Sequence, residues 1–431
     1  MPRLTSSVRA MCCTLAWLVL GVWGWLLLGP MYLHALRPSP DNVVDFYQDW
    51  GSSRNYLTGL PVYTEHSISI PHHLGLPRNP VPSIKRNAHP PTAVLLTLPL
   101  AWLSYSDAVL VWNLISLIAL LVSILIVARE LAATKALVLP GVVLSALCQP
   151  LYAHLYLGQW TLLLLLLVAA AWVLDRRERS AAAGALLGLA AAIKLFPAYL
   201  FVLYAAQRRL KPLLSGMATL LCVTLITLAV LGPESYRDYL WEVLPSQSVF
   251  RGFMYNFSVA GFWHKLFDPV GEAGALLPLW PSPSMARIGT LVCDLGITAT
   301  VIGLAYRWRR PEERDAAFGL AVTAMLLVSP VTWNFSLPLL LVPLAQIATE
   351  ARRSTTRGLA LWAILLVVWM PQELLTGLLW GSSIPASPVF SLGAASAKFY
   401  ALLGTFALGV ALMLDRVGMG RHLTTRPSPP R

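Results

Sequence analysis

The chain has 431 residues, of which 57% are hydrophobic and only 12% charged, and its mean hydropathy is +0.64. No core that a water-soluble domain of this length could build would hide so much apolar side chain, so the composition excludes a soluble protein and points to the membrane. The net charge of +12 does not indicate nucleic acid, because the basic residues stand in small clusters at the ends of apolar runs, where membrane orientation accounts for them.

The first apolar run, 10–29, is too long for the apolar region of a cleaved signal and has no small-x-small site before Tyr32, so it reads as an uncleaved first span. Further runs near 107–128, 135–150, 160–174, 212–231, 287–306, 315–330, 336–349, 358–375 and 396–414 each approach the roughly 20 residues that cross a bilayer as a helix. The fold class expected is all-α, a polytopic bundle of about 10–13 membrane helices, short and broken ones included. It forms one domain over residues 1–431. Cys12, Cys13, Cys148, Cys222 and Cys293 all fall within apolar segments and read as packing or lipid-facing residues rather than disulfide partners.

Orientation follows from the basic clusters Arg176/Arg177/Arg179, Arg208/Arg209/Lys211, Arg307/Arg309/Arg310/Arg314 and Arg352/Arg353/Arg357, together with Arg3 and Arg9. With these on the cytoplasmic side, loops 30–92 and 232–286 lie on the opposite face, and 417–431 is a cytoplasmic tail. Parity leaves Ala93–Leu103 too short to span, and it reads as half-inserted. The stretch 181–206 begins and ends at basic clusters and is interrupted at Lys194-Leu195-Phe196-Pro197, so it reads as a broken helix or short hairpin. In the second external loop, Tyr236–Trp241 and Phe250–Phe267 read as amphipathic segments lying in the interface.

The residues with chemistry to offer concentrate in the external loops. Asp41, Asp45 and Asp49 cluster a short way beyond the first span, in a chain with only 20 acidic residues. A carboxylate at the mouth of a membrane cavity can take a proton from a hydroxyl that attacks a donor. Asp45 equally suits a helix cap, and Asp49, one turn along, suits an ion pair with Arg54. Lys85, Arg86 and His89 have the chemistry to hold a phosphate or, as readily, lipid headgroups. Lys194 sits in an apolar context, where a lysine either snorkels or finds a partner. Gln159, beside His154 at a helix boundary, can donate and accept toward hydroxyls. Asn256-Phe257-Ser258 and Asn334-Phe335-Ser336 have the form of glycosylation acceptors and, as polar groups beside aromatic rings, also suit sugar contacts. No phosphate loop, dinucleotide fingerprint, zincin pair or Cys-x-x-Cys occurs, so the chemistry must rely on a donor already activated, with no cofactor.

Taken in order, several short motifs resemble the polyprenol-phosphate-dependent mannosyltransferases of glycosyltransferase family 87, integral membrane enzymes of the GT-C class. Asp45-Phe46-Tyr47, followed by Gly59 and Tyr63, resembles the family's opening Asp-Phe segment. His89-Pro90-Pro91, Pro99-Leu100, Ala108 with Trp112, and Gly158-Gln159 are similar to its next elements. Ala183-Gly184, Gly188, Ala190, Lys194 and Pro197 continue the order, which closes with Asn256-x-Ser258 and Ser329-Pro330-x-x-Trp333. The chain departs from the pattern at His89, where members carry Tyr, at Trp160 and Thr161 after Gly158-Gln159, and at Asn334, where a histidine is common.

The resemblance implies a GT-C bundle that transfers a hexose, mannose by family, from a polyprenyl-phosphate donor to a lipid or glycan acceptor. With a lipid-phosphate donor of this kind, no metal is expected. Asp45 would be the catalytic base of an inverting displacement on the non-cytoplasmic face. Lys85, Arg86, His89, Gln159, Lys194, Asn256, Trp333 and Asn334 are the expected substrate contacts. The location implied is a cell membrane, a bacterial inner membrane, with membrane lipids as partners and no nucleic acid. The competing reading is a transporter or flippase of lipid-linked sugars, which would also use broken helices and buried cations.

Overall fold

The computed structural model of the protein describes residues 6–39, 41–76, 85–270, 276–307, 311–351, 354–380 and 387–424. Arg3, Arg78, Arg309, Arg310, Arg352, Arg353 and the tail from residue 425 lie outside the described residues. Every regular element among the described residues is helical, as the long apolar runs require. In lipid a backbone must satisfy its own polar groups, and a helix does so within one segment.

The chain order begins α1 (Ser6–Leu36), α2 (Tyr47–Thr58), α3 (His66–Leu74), α4 (Pro91–Thr97) and α5 (Tyr105–Glu130). It continues with α6 (Thr134–Ala146), α7 (Gln149–Leu157), α8 (Thr161–Arg176), α9 (Ser180–Ile193), α10 (Leu200–Ala206) and α11 (Leu210–Leu231). Long helices follow at Pro283–Arg307, Pro311–Val328, Thr355–Trp369 and Ala397–Thr424. Among the described residues five helices are long and apolar enough to cross a membrane, or seven if two bent pairs each count as one span, so the protein is a multi-pass membrane protein. Three shorter apolar helices, Pro91–Trp102, Ser180–Ile193 and Phe196–Ala206, add the short and broken segments that the expected ten to thirteen include. Several of the apolar runs form short helices instead: α8 has 16 residues and Leu341–Ala351 has 11.

Two breaks position the site. Between α6 and α7 the chain bends by 59° at Leu147-Cys148, and between Thr355–Trp369 and the helix beginning at Gln372 it bends by 111°. Both fall next to a proline, Pro150 and Pro371, as the missing amide hydrogen requires. The 181–206 stretch is broken as expected. Lys194 is extended (φ −140°, ψ 140°), and Pro197 opens a 3₁₀ turn over Phe196–Tyr199 that leads into α10. The Ala93–Leu103 stretch is likewise short, α4 followed by a 3₁₀ turn over Leu98–Trp102.

The glycines of α9 have a packing role. A Cβ on Gly184 would lie 2.0 Å from the Pro212 carbonyl, and one on Gly188 would lie 2.2 Å from the Gly216 carbonyl. Small residues four apart therefore let α9 and α11 meet backbone to backbone.

Helix α5 runs the length of the bundle and separates two ends. At its N-terminus Tyr105 Oη accepts from Val44 N at 2.9 Å, beside the aspartate cluster. At its C-terminus Glu130 accepts from Arg177 at 2.9 Å and pairs with Arg176, which also reaches Asp315 at 3.0 Å. Arg209–Asp175 (2.6 Å) and Arg314–Glu178 (3.2 Å) belong to the same basic end. At 1.5 Å rise per residue, Tyr105 and Glu130 are about 38 Å apart along the axis.

Candidate active site

Asp45 is held by the backbone on either side of it. Phe46 N donates to the Leu157 carbonyl at 2.9 Å, fixing the segment to the C-terminal end of α7. The Phe46 ring packs on Trp112 with centroids 5.4 Å apart, and Trp112 Nε1 donates to the Gly158 carbonyl at 2.9 Å. Gly158 ends α7 in the left-handed region (φ +67°), and a Cβ there would lie 2.6 Å from Phe46 Cβ. Only glycine meets both demands.

The Asp45 side chain is no helix cap. The residue that caps α2 is Phe46, which makes no side-chain capping bond, and Asp45 Oδ2 instead accepts from Gln159 Nε2 at 2.9 Å. Gln159 Oε1 in turn accepts from Lys194 Nζ at 3.2 Å. The break after α9 thus delivers Lys194 to the aspartate through one amide, and both charged groups line one cavity.

Asp49 has a different environment and does not pair with Arg54, contrary to the expectation from helix spacing. It is 1% exposed and accepts from Trp160 Nε1 at 2.8 Å and from Asn87 Nδ2 at 3.2 Å, while His89 Nδ1 lies 2.8 Å from its Oδ2. Arg54 donates to the Ala101 carbonyl and stacks over Trp50. The two carboxylates diverge electrostatically as a result. Burial raises the Asp45 carboxyl above the usual range, outweighing the opposing pull of His89, Lys194 and the Gln159 hydrogen bond. Burial acts on Asp49 too, but His89 together with the bonds from Trp160 and Asn87 brings it below the usual range. Asp45 is therefore the stronger base of the two, and Asp49 the fixed anion.

The cavity holds about 990 Å³. Of the residues expected to contact substrate, Lys85, Arg86, His89 and Gln159 line it together with Asp45. Lys194, Trp333 and Asn334 line it as well. Arg86 is already engaged, at 3.3 Å by Glu65 and by Glu242, whereas Lys85 is exposed. Trp333 stacks edge-on against Phe250 and Phe253, giving the cavity an aromatic wall.

Asn256 does not reach the cavity. It is 0% exposed; its Oδ1 accepts from Ser258 N at 3.1 Å and Thr332 N at 3.0 Å, and its Nδ2 donates to the Pro330 carbonyl at 3.0 Å. Both faces of the amide are consumed in bracing two loops. His154 is also buried away from the cavity, with neither ring nitrogen partnered.

Gln149, Gln372 and Glu373 line the cavity and were not singled out from the sequence. A signal existed: Gln149 and Gln372 each adjoin a proline that interrupts an apolar run. Among the described residues no group of three or more His, Cys, Asp or Glu is arranged to hold a metal ion.

The sequence model of Glycosyltransferase family 87 matches residues 87–330, more than half of the chain. A Mycolicibacterium smegmatis protein, "Polyprenol-phosphate-mannose-dependent alpha-(1-2)-phosphatidylinositol mannoside mannosyltransferase", is 27% identical over 384 residues, 82% of this chain and 79% of that protein. A Mycobacterium tuberculosis protein with the same description is 26% identical over 392 residues, 85% of this chain and 84% of its own. No solved structure matches the chain significantly.

Proposed function

The chain belongs to glycosyltransferase family 87, and from that premise we propose that it transfers mannose from a polyprenyl-phosphate donor to a mannosylated lipid acceptor, with Asp45 as general base. The observation that carries this reading is the Asp45–Gln159–Lys194 chain at 2.9 and 3.2 Å in the 990 Å³ cavity. In it a carboxylate of raised basicity stands one amide away from a half-buried cation, the pair that base-assisted displacement of a phosphate requires.

In the proposed step Asp45 takes the proton of an acceptor hydroxyl as that oxygen bonds to the anomeric carbon. The bond from that carbon to the phosphate oxygen breaks, its electron pair leaves on a polyprenyl phosphate monoester, and one displacement inverts the centre. Lys194 meets the charge developing on the leaving phosphate, a contribution of about 2–4 kcal/mol for one well-placed group. Lys85, exposed at the rim, is the second candidate for that phosphate. Arg86, held by Glu65 and Glu242, is less free to serve. The donor's lipid tail suits a second cavity of about 500 Å³, lined by Leu120, Leu151, Leu162, Leu341 and Leu365. Residues of α7 line both cavities, so tail and phosphate would pass either side of its N-terminal end.

The reaction is assigned to the non-cytoplasmic face. What supports this is α5, whose far end carries the Arg176, Arg177 and Glu130 cluster about 38 Å from Tyr105 and the aspartates. Membranes containing the protein, incubated with radiolabelled polyprenyl-phosphate mannose, should transfer label to a mannosylated lipid. Protein-dependent movement of the donor across vesicles without transfer would favour a transporter and overturn the proposal.

A further inference from the structure

Helix α7 measures the cavity. Its C-terminal residue Leu157 is tied to Phe46 and hence to Asp45, and its N-terminal residue Gln149 lies about 12 Å away along the axis. The Asp45 end is rich in charge. The Gln149 end presents amides. Gln149 Oε1, Gln372 Oε1 and Asn334 Nδ2 are buried side-chain atoms without a hydrogen-bond partner, and all three residues line the cavity.

Two of these amides have fixed orientations. Asn334 Oδ1 accepts from the fully buried Lys398 Nζ at 2.6 Å, so its Nδ2 is the free donor. Gln372 Nε2 donates to the Ala394 carbonyl at 2.9 Å, so its Oε1 is the free acceptor, on a side chain that is 2% exposed. Ala394 and Lys398, the partners of Gln372 and Asn334, stand four residues apart, and α7 packs on the 3₁₀ turn that begins at Asn334, which gathers the set at one end. Trp369 Nε1 donates to the Leu144 carbonyl at 2.9 Å and holds the two helix breaks together there.

A buried polar atom left unpaired is costly, about 1–3 kcal/mol each, and three on one wall mark a place where a ligand completes the bonding. The ligand must accept from Asn334 and donate to both glutamines. Sugar hydroxyls do both jobs. We propose that Gln149, Asn334 and Gln372 form a carbohydrate subsite that binds a hexose of the acceptor remote from the one attacked at Asp45, so that the enzyme selects acceptors carrying at least two sugars. This deepens the proposed reaction and rests on it for the word acceptor, though the binding it predicts does not need turnover.

The test measures equilibrium binding of mannose, mannobiose and mannotriose to the detergent-solubilised protein by tryptophan fluorescence, Trp333 lying on the cavity wall. The native protein should bind the di- and trisaccharide at least tenfold more tightly than mannose. Q149A, whose amide nitrogen makes no hydrogen bond among the described residues, and Q372A should each lose that gain and leave mannose binding unchanged. D45N should keep it. Equal affinity for all three sugars, or a length preference that survives both glutamine substitutions, overturns the subsite. Length-dependent binding without labelled-mannose transfer would leave the subsite standing and count against the proposed reaction alone.

Discussion

Asp49 Oδ2 lies 2.8 Å from His89 Nδ1, across 40 residues of chain, and the carboxylate is closed in further by Trp160 and Asn87. The pair fixes the imidazole so that Nδ1 faces the carboxylate and Nε2, which has no hydrogen-bond partner among the described residues, is left for the cavity. Among the charges near Asp45, His89 most strongly opposes the rise that burial imposes on its carboxyl. One aspartate is thus structural and steers a histidine; the other is left basic.

This arrangement predicts a stability role for Asp49. Because its carboxyl titrates below the usual value, near 3.9 for an unfolded aspartate, it contributes stability that is full above that pH and is lost as pH falls through the lower, folded value. D49A should cost about 3–5 kcal/mol, as breaking a buried pair does. Thermal unfolding in detergent at neutral pH checks this. An unchanged melting temperature would contradict it.

The pH dependence of transfer follows from Asp45. Its raised pKa puts the acidic limb of kcat/KM above the ordinary carboxylate range, with activity lost as pH falls through it. Lys194 is one of the groups that lowers that pKa, so removing its charge in K194M should move the limb to still higher pH, besides weakening donor use. A limb that stays in place or moves to lower pH would show that Asp45 is not the titrating base, or that Lys194 does not act on it.

At Gly158 a side chain is opposed both by the backbone (φ +67°) and by Phe46, 2.6 Å from where a Cβ would sit. G158A should displace Phe46 and carry Asp45 with it. A misplacement near 1 Å costs about a hundredfold in rate, whereas the loss of stability should be only about 1–3 kcal/mol. Transfer assays and melting curves on the same preparation separate the two effects. Equal, small losses in both would mean that the α7 terminus does not position the base.

Much of the site was legible in the sequence because charge is rare in this chain. Asp45, Lys194 and Gln159 each stood out against apolar neighbours, and Pro197 announced the break that aims Lys194. Their union in one hydrogen-bonded chain was not legible, since it depends on α7 and α9 ending at the same place. Arg86 read as a free cation because Glu242, one of its two partners, lies far along the chain, beyond α11. Asn256 read as a sugar contact because a sequon shows only local residues, and the carbonyl of Pro330 that it binds comes from a distant turn. Hydropathy alone also does not tell which apolar runs face lipid. An apolar window looks the same whether its helix faces lipid or, like α8, is packed in the bundle with Leu162, Leu164 and Leu165 fully buried.

The central claim is that Asp45 takes the acceptor's proton. The direct test is transfer of labelled mannose from polyprenyl-phosphate mannose by D45N, which preserves shape and removes basicity. Transfer should fall about a thousandfold, with a melting temperature close to that of the native protein and donor binding retained. Transfer by D45N at a rate near the native one would contradict it.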